Sequence, residues 1–87
     1  MKASVVSAYG GPEVMKYQDM PDPTPGAGDV LVKVAGIGIN PEDMLERNGD
    51  LKGRFPLRFP AIIGLDVSGT VVATGDGVTD LKVGERV

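Results

Sequence analysis

The sequence predicts a mainly β domain, a small barrel or sandwich of short strands carrying one short helix. Three observations predict it. Runs rich in Val, Ile and Thr recur along the chain, each bounded by Gly or Pro. The longest of them, residues 30–39, alternates its side chains between two faces. Only one segment opens with the residues that start a helix. With 87 residues there is room for one small domain, and a chain of this size hides only about 60% of its unfolded surface, so its core must be compact.

The first strand is expected over residues 2–8, ending where Tyr9-Gly10-Gly11-Pro12 punctuates the backbone. A second short strand is expected over 14–18. Pro21, Pro23 and Pro25 then remove backbone donors and favour an extended surface path, a spacer within the domain. Gly26-Ala27-Gly28-Asp29 turns the chain into the 30–39 strand, where Gly36 and Gly38 suit a bend or a close approach. Asn40 reads as a helix N-cap, with Pro41 at the first helical position and Glu42 and Asp43 at the positive helix end. The helix should run to about Asn48 and stop at Gly49.

Residues 50–60 form a polar, proline-broken loop containing Arg54, Phe55, Arg58 and Phe59. A strand over 67–74 follows, with Val67, Val71 and Val72 expected in the core. Gly75-Asp76-Gly77 is a tight turn, and residues 83–87 begin a further strand.

Nine Lys and Arg against twelve Asp and Glu give a net charge of −3, which argues against attraction to nucleic acid or to an anionic membrane. The chain has neither Cys nor His. That removes disulfides, thiol nucleophiles and Ser-His-Asp or Cys-His catalysis, and it leaves zinc without its usual nitrogen and sulfur ligands. Asp76 and Asp80 lack the run of oxygen ligands of a calcium loop. No Gly-x-Gly-x-x-Gly or P-loop occurs, so no dinucleotide fold is expected in these residues. Arg54 and Arg58 read as solvated loop charges, with a weak anion site as the other option. The opening residues are too short and too polar for a signal-peptide core, and no run approaches the roughly 20 apolar residues that cross a bilayer. Cytoplasmic location is the expectation.

Three separated blocks carry a more specific signal. Asn40-Pro41-Glu42-Asp43, with Arg47-Asn48-Gly49 behind it, follows the Val-rich strand. Gly64-Leu65-Asp66-Val67-Ser68-Gly69-Thr70-Val71-Val72 comes next, then Val83-Gly84-Glu85-Arg86-Val87. In order and spacing they resemble the front of the medium-chain dehydrogenase/reductase family, in its zinc-free quinone oxidoreductase branch. The resemblance covers nearly the whole chain but only the first part of such an enzyme. It implies that residues 1–87 are the substrate-side N-terminal domain, a partly open barrel like the co-chaperonin GroES, incomplete at the C-terminus. The Rossmann domain would be absent from this chain.

The implied chemistry is hydride transfer from NADPH to a quinone or conjugated enone. Zinc-dependent members carry Cys where this chain has Asn40 and His-Glu where it has Leu65-Asp66, so the resemblance implies no zinc. It places Asn40 beside the nicotinamide as the catalytic residue and a cofactor contact. Arg47 becomes either a cleft cation that helps hold the cofactor or a salt-bridging helix residue. Leu45 stands where the branch often has a tyrosine near the substrate, and leaves an apolar pocket wall. Gly64 would let the backbone approach the ring systems, or would serve a turn. Asp66 reads as a structural acceptor. A homodimer is expected, because missing strands leave an open edge, and the isolated 87-residue chain should be inactive. The alternative is a free-standing GroES-like binding or structural module.

Overall fold

The computed structural model describes every residue, Met1–Val87. The chain is mostly strands with one helix, arranged as two antiparallel two-stranded sheets and no closed barrel. It divides into two compact units, one made of Met1–Pro21 and Ile39–Leu65, the other of Asp22–Gly38 and Asp66–Val87.

In the first unit β1 (Lys2–Val6) pairs with β2 (Met15–Asp19), with Ala3 opposite Gln18 and Val5 opposite Lys16. β1 stops two residues short of the expected end. The chain turns at Ser7, whose N–H donates to the Val14 carbonyl at 3.2 Å, and Pro12–Val14 winds into one 3-10 turn before β2. Ala3 and Val5 share one face of β1 and Val6 takes the other, yet all three are buried. At the far edge of β1, Val6 and Ala61 exchange both main-chain bonds, at 2.7 and 2.9 Å.

Helix α1 (Pro41–Asn48) runs over the residues expected. Asn40 is extended at the N-cap, Pro41 needs no amide partner at the first position, and Gly49 closes the helix in the left-handed region at φ 93°.

In the second unit β3 (Val30–Ile37) pairs with β4 (Val67–Thr74). The register slips twice, between Leu31 and Val32, where β4 carries the extra residue, and between Val34 and Gly36, where Ala35 of β3 is extra; the second slip lies beside Gly36, where a bend was expected. The 84–87 segment lines the other side of β4: Gly69 and Val87 exchange two bonds of 2.9 Å, and Val71 N–H donates to the Glu85 carbonyl at 2.9 Å.

The expected core here needs correcting. Val71 is fully buried, but Val67 is 50% exposed and Val72 is 43% exposed. Successive strand residues point to opposite faces, so Val71 and Val72 cannot both enter a one-sided core. The register shift leaves Val72 as the extra residue between Val71 and Ala73. Val67 sits at the strand end opposite Ile37, itself exposed. No helix is long and apolar enough to cross a membrane.

Candidate functional site

The four residues singled out as a site, Asn40, Leu45, Arg47 and Gly64, all lie in the first unit. Asn40 and Asp43 form a capping box, in which the Asn40 N–H donates to Asp43 Oδ2 at 3.0 Å. This fixes the Asn40 backbone at the end of the helix where unpaired amides concentrate partial positive charge. The other oxygen, Asp43 Oδ1, is buried with no hydrogen-bond partner. Asp43 therefore stabilises the helix start, as its position suggested.

At 100° per residue Asn40, Asp43 and Arg47 fall along one side of α1, while Leu45 lies about 140° round from Asn40. The apolar residue nearest the Asn40 side is Met44, which is 50% exposed. Sequence reading passed it over. Its helical position alone, one turn on from Asn40, was the signal that could have found it.

Arg47 is bonded to main chain rather than to a carboxylate. Its Nε donates to the Gly10 carbonyl at 3.3 Å, and its own carbonyl accepts from the Gly10 N–H at 3.0 Å. The partner is main chain because the Tyr9-Gly10 turn passes beside the last turn of α1. Gly64 adopts φ 129°, and a β-carbon there would meet nothing within 4 Å. Glycine at this position satisfies the backbone angle, and the space beside its α-carbon is open.

The same turn gathers residues that sequence did not connect. Tyr9 stands edge-on to Phe59 with ring centroids 4.9 Å apart, Lys52 Nζ lies 5.9 Å from the Tyr9 ring centre, and the Leu57 N–H donates to Tyr9 Oη at 2.9 Å. These partners lie 43 to 50 positions further along the chain, beyond the reach of any local pattern.

The second unit holds an open groove of about 310 Å³ lined by Gly36, Ile37, Gly38, Asp66, Val67 and Ser68. Gly38 is small for a contact reason: a β-carbon there would come within 2.8 Å of Asp66 Cβ and Oδ2. The Gly38 N–H donates to the Asp66 main-chain carbonyl at 3.2 Å.

A capped helix following a bent strand, with a second glycine-led strand after a long loop, has clear counterparts. Residues 26–87 match the alcohol dehydrogenase GroES-like domain. The chain belongs to that family. Among curated proteins, the quinone oxidoreductase of Lama guanicoe is 46% identical over 88 aligned positions, covering all of this chain and 26% of that protein. A mycobacterial quinone oxidoreductase structure superposes on 99% of this chain and 26% of its own, with a TM-score of 0.89 and 41% identity. The Escherichia coli quinone oxidoreductase, solved in complex with NADPH, gives a TM-score of 0.87 at 29% identity, covering 99% of this chain and 26% of that one. This GroES-like chain thus spans about a quarter of the length of the curated relatives it matches. The relatives bear out the medium-chain dehydrogenase/reductase resemblance and its quinone oxidoreductase branch.

Proposed function

We propose that this chain is the substrate-side, N-terminal domain of a reductase that passes hydride from NADPH to a quinone or conjugated enone, without zinc. The observation that carries the proposal is the capped helix: Asn40 is held by its backbone at the positive end of α1. Similarity over the whole chain to quinone oxidoreductases, one of them solved with NADPH, supports the substrate and cofactor classes.

The residues present fit a flat cofactor ring and a carbonyl acceptor. Gly64 leaves open space above its α-carbon, and the helix end favours negative charge. NADPH would supply the hydride. Asn40 would hold the reacting groups with its side-chain amide, donating to the acceptor oxygen as negative charge gathers there. Arg47, anchored through Nε, would turn its terminal nitrogens to the cofactor, and Gly64 would leave room for the acceptor, with Met44 rather than Leu45 as the apolar side chain on the Asn40 side of α1. Most of the dinucleotide contacts would come from a Rossmann domain outside these residues. Zinc has no Cys or His to bind here.

Self-association belongs to the same proposal. β3 is an edge of its sheet and carries exposed Val34 and Ile37, which suits pairing with a second copy. A purely monomeric chain at high concentration in light scattering would remove this part. A cytoplasmic location is proposed as well.

The test is Asn40 in a protein that carries these residues together with the proposed Rossmann domain. Asn40→Asp keeps an acceptor for the cap and discards the amide donor. Its kcat with a simple quinone should fall about a hundredfold, as for loss of one oxyanion donor, with an unchanged melting temperature. Activity close to wild type would exclude Asn40 as that donor. Robust NADPH oxidation by the 87-residue chain alone would sink the division of labour between two domains.

A further inference from the structure

The 49–61 loop is tied at both ends. Its start winds through bonds from Lys52 N–H to the Gly49 carbonyl at 3.1 Å and from Phe55 N–H to the Leu51 carbonyl at 2.7 Å. Its end is the Val6–Ala61 bridge. Between these ties the Leu57 N–H donates to Tyr9 Oη at 2.9 Å, a partly buried bond between residues 48 positions apart. The Tyr9 ring also meets Phe59 edge-on and lies beneath Lys52. A β-carbon on Gly49 would touch the ring at 3.3 Å. One side chain therefore meets the beginning, middle and end of the loop.

Tyr9 is itself held. It precedes Gly10, whose N–H and carbonyl are both bonded to Arg47 on α1. Loop and helix thus share one fixed point, although neither is adjacent to it in sequence. The loop presents Phe55, 61% exposed, between Arg54 and Pro56.

We infer that the Tyr9 hydroxyl is the latch that sets this loop, joining its middle to the turn that is bonded to α1. Tyr9→Phe removes the hydroxyl and keeps the ring, so the contacts with Phe59 and Lys52 persist. Losing one partly buried hydrogen bond should raise the open fraction of the loop about fivefold.

Limited trypsin digestion of the 87-residue chain reads this directly. Arg54 and Arg58 are exposed cleavage sites within the loop, and Lys16, on β2 of the same unit, reports opening of the sheet. When opening is fast, cleavage follows the open population. Tyr9→Phe should speed cutting after Arg54 and Arg58 about fivefold and leave cutting after Lys16 unchanged. Equal rates in both proteins, or acceleration at Lys16 to the same extent, would overturn the latch.

Discussion

The two units are held by different means. The first buries Ala3, Val5 and Val6 and is fastened by side chains that reach main chain: Tyr9 to Leu57, Arg47 to Gly10, Asp43 to Asn40. The second has Val71 as its one fully buried large side chain, and is fastened by main chain lying close on main chain. A β-carbon on Gly69 would strike the Lys33 carbonyl, and one on Gly75 would strike the carbonyl of Gly26. The difference teaches where each unit tolerates change. One suffers when a side chain is taken away, the other when a side chain is added.

The strongest way to break this comparison is to add a single methyl group to each unit. Gly75→Ala forces a β-carbon onto backbone that cannot rotate away, and the Gly75 N–H already donates to the Asp29 carbonyl at 2.7 Å. The expected loss is about 3 kcal/mol, at the upper end for overpacking, measured from the urea midpoint. Gly53→Ala in the first unit adds the same methyl where nothing lies within 4 Å and φ is not positive. It should leave stability unchanged or raise it slightly, since the unfolded chain loses freedom. Similar losses at both sites would erase the distinction.

A smaller effect sharpens the side-chain half of the comparison. Asp43→Ala removes the acceptor that satisfies the Asn40 N–H and should cost about 1 kcal/mol. Asp43→Asn keeps an oxygen for that bond and removes a charge whose other oxygen, Oδ1, is buried without a donor. It should cost less than half as much in the same urea titration. If Asn proved as damaging as Ala, the charge at the helix end would matter more than the capping bond.

Helix α1 was legible because everything that defines it is local: Asn40, Pro41, Asp43 and Gly49 lie within ten residues and each serves one helix end. β4 was legible to the residue for a similar reason, a β-branched run between turn residues. Val67 and Val72 were misplaced because hydrophobicity does not tell which face of a strand is covered, and a register shift moves that face. The Asn40 end of the site could be read from its helix grammar and from the family blocks. Tyr9 could not. Its role is made by Leu57, Phe59 and Lys52, which the fold brings to it from far along the chain. The same holds for Arg47, whose partner at Gly10 is 37 positions back.

The smallest expected effect marks the limit of the side-chain rule. Lys2 Nζ lies 2.9 Å from Asp19 Oδ1 across the β1–β2 pair, but the two side chains are 56% and 80% exposed. Water solvates both charges when they part, and holding two flexible side chains together costs entropy, so the pair should contribute less than about 0.5 kcal/mol. Lys2→Ala is thus expected to shift the urea midpoint barely beyond error, with a shift that disappears in 0.5 M salt. A loss above about 1 kcal/mol that persists in salt would mean that the lysine stem packs on the sheet and that removal of even an exposed side chain harms the first unit. The near-neutral result would confine that unit's sensitivity to side chains that bond to main chain or fill its core.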